Sequence, residues 1–409
     1  MERTKRVLIS GAGIAGPALA YWLGRYGMHA TVVERAPGLR LGGQAVDFRG
    51  PVHRAVLEKM GIWQAIHERQ TAPGKMVLLN QAGAPHATLP EVIATEDVEI
   101  LREDLIDILY QRTRHASTYR FGDRITRIEE RDGGVHVRFE RGEPEVFDLV
   151  VGADGLHSDM RALAFGEEQR WLRHHGYRMA TFSVPRLTEG SDMQIFSVPG
   201  GRSAALATGA GGGSRAILIH LGAPVAARPD LAAERVGLRK TYAGMTWHVP
   251  AILDALDVAD DLYLDSISTV HVDSYARGRV ALLGDAAYGG TLGGQGTSLG
   301  IVGAYVLASE IATAPDHRVA FQRYEALMRP YATGCQKGAM RAGMFFAPRT
   351  AWGLWIRNAA HWVLAKPRFV KWFERMAKAD AESFVLPEYS PSAATAGRLG
   401  APSMSSVDL

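Results

Sequence analysis

The chain has 409 residues, 47% of them hydrophobic and 22% charged, enough to bury a core of one large domain or two joined ones. Lys plus Arg total 46 against 43 for Asp plus Glu, and no basic cluster is interleaved with aromatics, which excludes a nucleic-acid surface of the usual kind. The single cysteine, Cys335, excludes an internal disulfide and a multi-cysteine metal site, and points to a reducing, cytoplasmic setting.

Lys5 and Arg6 before the apolar run Val7 to Leu23 resemble the start of a secretory leader, but Gly11, Gly13, Gly16 and Pro17 interrupt it. The run therefore reads as fold: a strand from Arg6 to Ser10, a helix from Ala15 to Tyr26 stopped by Gly27, and a strand from Ala30 to Glu34. Helical patterns follow over Val52 to Glu68 and Leu101 to Arg114, the second after a strand near Val98 to Ile100. Strands at Thr126 to Glu130, Val135 to Phe139 and Phe147 to Val151 come next, with Asp132, Gly133 and Gly134 as a hairpin turn.

From Tyr177 to Leu221, strands separated by Pro/Gly turns form a second sheet, including Gln194 to Val198, Ser203 to Thr208 and Arg215 to Leu221. Gly209 to Gly213 joins two of these strands and reads as a hairpin loop, not a second nucleotide site. Arg279 to Leu283 returns to a buried-strand pattern, so the second sheet reads as a lobe inserted into the first domain. Trp352, Trp355, Trp362 and Trp372 mark C-terminal helices, expected to pack over the first lobe rather than lie on a membrane because Pro348 and Pro367 break the run. A Pro-, Ser- and Ala-rich tail from Pro387 is expected to be disordered.

Gly11-Ala12-Gly13-Ile14-Ala15-Gly16 lies between strand and helix, where glycines permit a tight turn and let a pyrophosphate approach backbone N–H groups at the helix's positive end. Glu34, followed by Arg35, ends the second strand at the separation of about 20 residues that places a carboxylate on an adenosine ribose. These features indicate a dinucleotide without separating NAD from FAD. His174 and His175 are adjacent rather than at ligand spacing, and no Gly-x-Ser-x-Gly elbow occurs, so neither metal nor hydrolase chemistry is expected.

Two later motifs, Val151-Gly152-Ala153-Asp154-Gly155 and Gly284-Asp285-Ala286-Ala287, follow the first in order. With it they make the chain similar, from Val7 to about Leu307, to the group A FAD-dependent aromatic hydroxylases, which include p-hydroxybenzoate hydroxylase and the tetracycline-inactivating monooxygenases. The resemblance implies an α/β fold, a Rossmann-like FAD-binding domain with an inserted β-sheet substrate domain and C-terminal helices. The parts are 1–172 and 273–330 for the FAD-binding domain, 173–272 for the lobe, 331–386 for the helices and 387–409 for the tail.

It also implies FAD held by Gly11, Gly13, Ile14, Ala15, Gly16, Glu34, Arg35, Gly43, Asp47, Arg102, Asp154, Asp285 and Gly296, with Arg40 carried over as an NADPH contact. NAD(P)H acts as a transient reductant without a domain of its own, and a helix opening at Thr297 aims its positive end at the flavin. The implied activity is oxygenation of a small molecule, and Phe182, Met193, Ile195 and Phe196 in the second sheet point to an apolar, polycyclic one; single-domain length without an interface stripe favours a monomer, and no integral membrane segment is expected. The cofactor carries the chemistry, so no catalytic side chain is named.

The chain departs from the family after Gly-Asp-Ala-Ala, where His and prolines give way to Tyr288-Gly289-Gly290-Thr291-Leu292. That departure motivates a rival reading, an FAD enzyme with no net redox step such as a cyclase. A flavin-binding sensor or interaction protein, using the aromatic C-terminal helices as a partner surface, is a third.

Overall fold

The computed structural model describes residues 4–39, 45–48, 50–71, 74–89, 98–208, 213–226, 229–292, 296–364 and 384–389. Val7, Leu8 and Ile9 are fully buried, which requires cover on both faces, and a parallel sheet flanked by helices supplies it. The cofactor-lobe sheet runs Ala276–Arg277, Val280–Leu282, Leu149–Gly152, Arg6–Ser10, His29–Glu34 and Thr118–Phe121. All neighbours pair parallel except the first two, a short antiparallel hairpin.

Register decides the function of this sheet. Ser10 lies opposite Gly152, and Gly152 opposite Leu282, so three strands end level with one another. The three motifs of the sequence follow those ends and meet at the carboxyl edge, where open α/β sheets bind ligands. Helix Ala15–Arg25 then packs against the almost wholly buried helix Gly296–Thr313. Gly300 permits the approach, since a Cβ there would stand 3.2 Å from the Ala15 Cβ.

The helical pattern of Val52 to Glu68 is two helices, Pro51–Met60 and Trp63–Glu68, because Gly61 takes a left-handed φ of 67° that ends the first. The hairpin Ile125–Arg131 and Gly134–Phe139 turns at Asp132 and Gly133, both at positive φ.

The second sheet has the order Tyr263–Val270, Leu172–Val184, Ser214–Leu221, Arg202–Thr208, Met193–Val198, Met76–Leu79 and Pro85–Thr88. Its last two strands come from far upstream, and Met76–Leu79 pairs parallel with Met193–Val198. One face buries Phe182, Phe196 and Leu218 under helices Leu231–Tyr242 and Val249–Val258. The other carries Tyr177, Met179, Ile219 and Ile267, packed with Phe346 near the end of helix His317–Phe346.

Helix Ala351–Leu364 buries Leu354, but Trp352 and Trp355 remain 73% and 62% exposed, so its aromatic side is not packed over the first lobe as expected. The helical spacing explains it: Leu354 and the tryptophans lie on different faces of the helix. Trp362 has no described side chain, and Trp372 and the tail from 390 lie outside the described residues. No described helix is long and apolar enough to cross a membrane.

Candidate cofactor site

The first motif is built by contact with the second. Gly11 has a φ of +107°, open to glycine alone, and a Cβ there would stand 2.5 Å from the Ala153 carbonyl oxygen. A Cβ on Gly16 would fall 2.0 Å from the Gly11 oxygen, so this glycine lets the helix start directly against the turn. Ile14 is buried, and a Cβ on Gly13 would meet only the tip of Arg102, at 3.9 Å. Arg102 opens helix Arg102–Thr113, placing a guanidinium beside the glycine turn.

Glu34 is 9% exposed and braces the same turn: its carboxylate accepts from the Ala12 N–H and the Ala36 N–H, each at 3.0 Å. Arg35 beside it is exposed. The Asp154 carboxyl accepts from Ser10 Oγ at 3.3 Å, from the Met160 N–H at 3.0 Å and from Ser158 Oγ. Desolvation pushes its pKa up, and the Ser158 and Met160 hydrogen bonds oppose the shift. Asp154 is thus a structural brace for helix Asp159–Phe165, whose N-cap, Ser158, accepts from the Arg161 N–H.

Asp285 presents a different environment. It follows Gly284, at a φ of 64°, and opens the short helix Asp285–Tyr288. The residue is exposed, yet enough protein surrounds its carboxyl that desolvation raises its pKa, with Arg102 opposing and the charge of Asp265 adding. A carboxylate that is both accessible and enclosed lines a recess. Gly296 keeps that recess clear, since a Cβ there would come 2.7 Å from Asp285 Oδ1. Asp47, on strand Ala45–Phe48, is drawn to the same place because its carbonyl accepts from Ser298 Oγ at 2.9 Å in the first turn of helix Gly296–Thr313.

The model of the FAD-binding-domain family matches residues 4–339. The chain belongs to this family. The flavoprotein is 39% identical over 336 residues to the uncharacterized protein Rv1260 of Mycobacterium tuberculosis strain H37Rv, covering 79% of this chain and 89% of that one. It is 33% identical over 348 residues to a flavin-dependent monooxygenase of Legionella longbeachae, covering 82% and 88%. Among solved structures, the tetracycline destructase Tet(55) superposes with a TM-score of 0.80 at 32% identity, over 95% of this chain and all of that one. The flavoprotein is accordingly an oxidoreductase of the FAD-dependent monooxygenase class, with FAD as its cofactor.

The residues present fit such a group. The recess that glycines 13 and 296 keep open, flanked by Arg102 and Asp285, offers cation and carboxylate to a ligand carrying both phosphates and hydroxyls. Gly11, Gly13, Ile14, Ala15, Gly16, Glu34, Arg102, Asp154, Asp285 and Gly296 converge at one sheet edge, whereas Arg40 and Gly43 lie outside the described residues.

The departure after Asp285 resolves into packing. Tyr288 is 2% exposed and turns into the core, where its hydroxyl donates to the Leu299 carbonyl at 3.4 Å and accepts from Tyr324 at 3.2 Å. The following residues are not a loose loop. The Gly289 carbonyl accepts from the Val270 N–H at 2.9 Å, the Thr291 N–H donates to the Ser268 carbonyl at 3.0 Å, and Gln336 Nε2 donates to the carbonyls of Val270 and Tyr288. Leu292 follows at a φ of 62°, unusual for a branched residue, and packs beside Tyr177, Met179, Ile219 and Ile267.

Sequence reasoning missed the second half of the Asp-Gly segment, His157, Ser158 and Arg161. A serine followed by aspartate before an apolar run is a helix-start signal that was there to be read.

Proposed function

We propose that the flavoprotein takes reducing equivalents from NAD(P)H and uses molecular oxygen to oxygenate an apolar, polycyclic small molecule. One observation carries the substrate class. The segment that leaves Asp285 lays Leu292 on the apolar face of the second sheet, so cofactor turn and apolar wall adjoin. Tyr177, Met179, Ile219 and Ile267 are buried behind that wall, and the partly exposed Ile217, Leu292 and Phe346 at its edge offer apolar area to flat rings. The similarity to a tetracycline destructase supports a polycyclic substrate.

Bound FAD supplies the redox and oxygen chemistry. The chain's own part is to hold it: the Gly11–Gly16 turn and helix start toward the pyrophosphate, Glu34 and Arg35 at the adenosine end, Arg102 and Asp285 toward phosphate and ribityl groups. Asp154 acts through the turn it braces, and Asp47 with Gly296 through the start of the following helix, whose positive end favours negative charge. The burial of Tyr288 removes one motive for the rival reading, since the residue that departs from the family packs in the core.

The test is a visible spectrum of the FAD-reconstituted protein, followed by NADPH or NADH addition in air with an oxygen electrode. Bleaching of the flavin band, with oxygen uptake stimulated by tetracycline or another polycyclic phenol, is expected. A band indifferent to both nicotinamides across that substrate set refutes the redox reading.

A further inference from the structure

His157 stands at the junction of the two lobes, and no cofactor or substrate role claims it. Its Nδ1 lies 2.6 Å from Glu168 Oε1 and its Nε2 lies 3.1 Å from Asp265 Oδ1. With a carboxylate at each nitrogen, only the doubly protonated ring donates to both. Asp265 belongs to strand Tyr263–Val270 of the second sheet and is 3% exposed. Its carboxylate also accepts from the Tyr263 hydroxyl at 2.6 Å and the Ser266 N–H at 2.6 Å.

The network continues into the first lobe. Arg161 is fully buried: Nη2 lies 3.4 Å from Glu168 Oε1 and donates to the Leu156 carbonyl at 2.6 Å, while Nη1 donates to the Ala286 carbonyl at 3.0 Å. Ala286 adjoins Asp285, so an unbroken run of polar contacts joins the second sheet, the Asp-Gly segment and the cofactor turn. We infer that His157 is a positioning residue, an ionic clamp that fixes strand Tyr263–Val270 against the Asp-Gly segment and so sets the placement of the Asp285 turn for FAD.

Removing the ring's charge leaves Asp265 buried in the clamp without its imidazolium, which costs more than an ordinary hydrogen bond. The two carboxylates outweigh desolvation and raise the pKa of His157 to about 9, the largest cause being the hydrogen bond to Asp265. The other charged groups close to this network are Arg161 and Asp159 on helix Asp159–Phe165, Asp154 before it, and Asp285, whose carboxyl feels Asp265 and Arg102. A His pKa raised on folding stabilises most fully below the unfolded value of about 6.5, and that contribution is lost as pH rises through the folded value. The clamp should open on the alkaline side.

The inference rests on the chain binding FAD and not on its oxidising anything, so its test avoids turnover. FAD affinity, by flavin fluorescence quenching, and melting of the FAD-free protein are followed from pH 6 to 10 in wild type, His157→Gln, Asp265→Asn and the double variant. Wild type is expected to hold FAD evenly to about pH 7 and to lose about tenfold in affinity through pH 9. His157→Gln should bind about tenfold more weakly at pH 7 with no alkaline limb, and adding Asp265→Asn should restore melting without restoring the limb. Should His157→Gln fail to fold, Asp265→Asn alone decides, by moving the limb to lower pH. A wild-type profile that stays flat to pH 10, an alkaline limb that survives in His157→Gln, or one that keeps its wild-type position in Asp265→Asn, overturns the clamp.

Discussion

If Tyr288 is a core residue, its hydroxyl should be coupled to Gly303 by space alone. A Cβ at position 303 would stand 2.1 Å from Tyr288 Oη and 3.0 Å from Leu283 Cδ1, so Gly303→Ala must move the phenol or the helix by more than an ångström. Overpacking of that kind costs about 1–3 kcal/mol, and replacing a mid-helix glycine by alanine returns about 1 kcal/mol, leaving a net loss of about 0–2 kcal/mol. Tyr288→Phe alone gives up long hydrogen bonds to Leu299 and Tyr324, about 1 kcal/mol together. The double variant loses the oxygen that clashes, and should be more stable than Gly303→Ala by about 1 kcal/mol rather than less.

Urea unfolding of the FAD-loaded protein reads these differences directly. At about 2.1 cal/mol/K per residue, a chain of 409 residues shifts its melting point by only about 1–2 °C for each kcal/mol, so heat is the poorer probe. NAD(P)H oxidation by Tyr288→Phe should stay within about twofold of wild type. A double variant no more stable than Gly303→Ala refutes the packing argument. A hundredfold loss of flavin reduction in Tyr288→Phe at unchanged stability would put the phenol at the ring instead.

Asp285→Asn should weaken FAD by about tenfold to a hundredfold, the worth of a charge-assisted hydrogen bond, while the FAD-free protein melts as before or higher because an enclosed carboxylate is relieved; equilibrium dialysis and melting check both. Gly296→Ala, with its methyl 2.7 Å from Asp285 Oδ1, should produce the same loss of FAD without removing any polar group, measured by flavin content after reconstitution. Gly11→Ala sets a Cβ against the Ala153 backbone at positive φ, and should abolish soluble folded protein rather than merely release cofactor, as judged by far-UV circular dichroism.

What could be read from the sequence was whatever lies contiguous in it. The Gly11–Gly16 turn, Glu34, the Asp154 turn and the Asp285 turn each announce themselves by residue type and by the strand before them. That Gly11 touches Ala153, or that Gly296 makes way for Asp285, depends on register between strands far apart in the chain, which no local pattern carries. Tyr288 shows the opposite error. Beside a cofactor motif it looked like an altered active-site position, but direction is set by the short helix it ends, and that helix turns it inward. The ionic run through His157 stayed invisible because Glu168 and Asp265 stand on separate elements, each an ordinary acidic residue in its own neighbourhood.

The parallel pairing of Met76–Leu79 with Met193–Val198 bears on how this enzyme's specificity could be transplanted. Cutting at 173 and 272 would remove five strands of the second sheet and strand two behind, leaving an open apolar edge on each fragment. A chimera that exchanges substrate recognition must carry residues 74–89 along with the later segment. During synthesis, those early strands must likewise wait for more than a hundred later residues before finding their partner, which makes this edge a point of exposure to aggregation and a place where a chaperone would act.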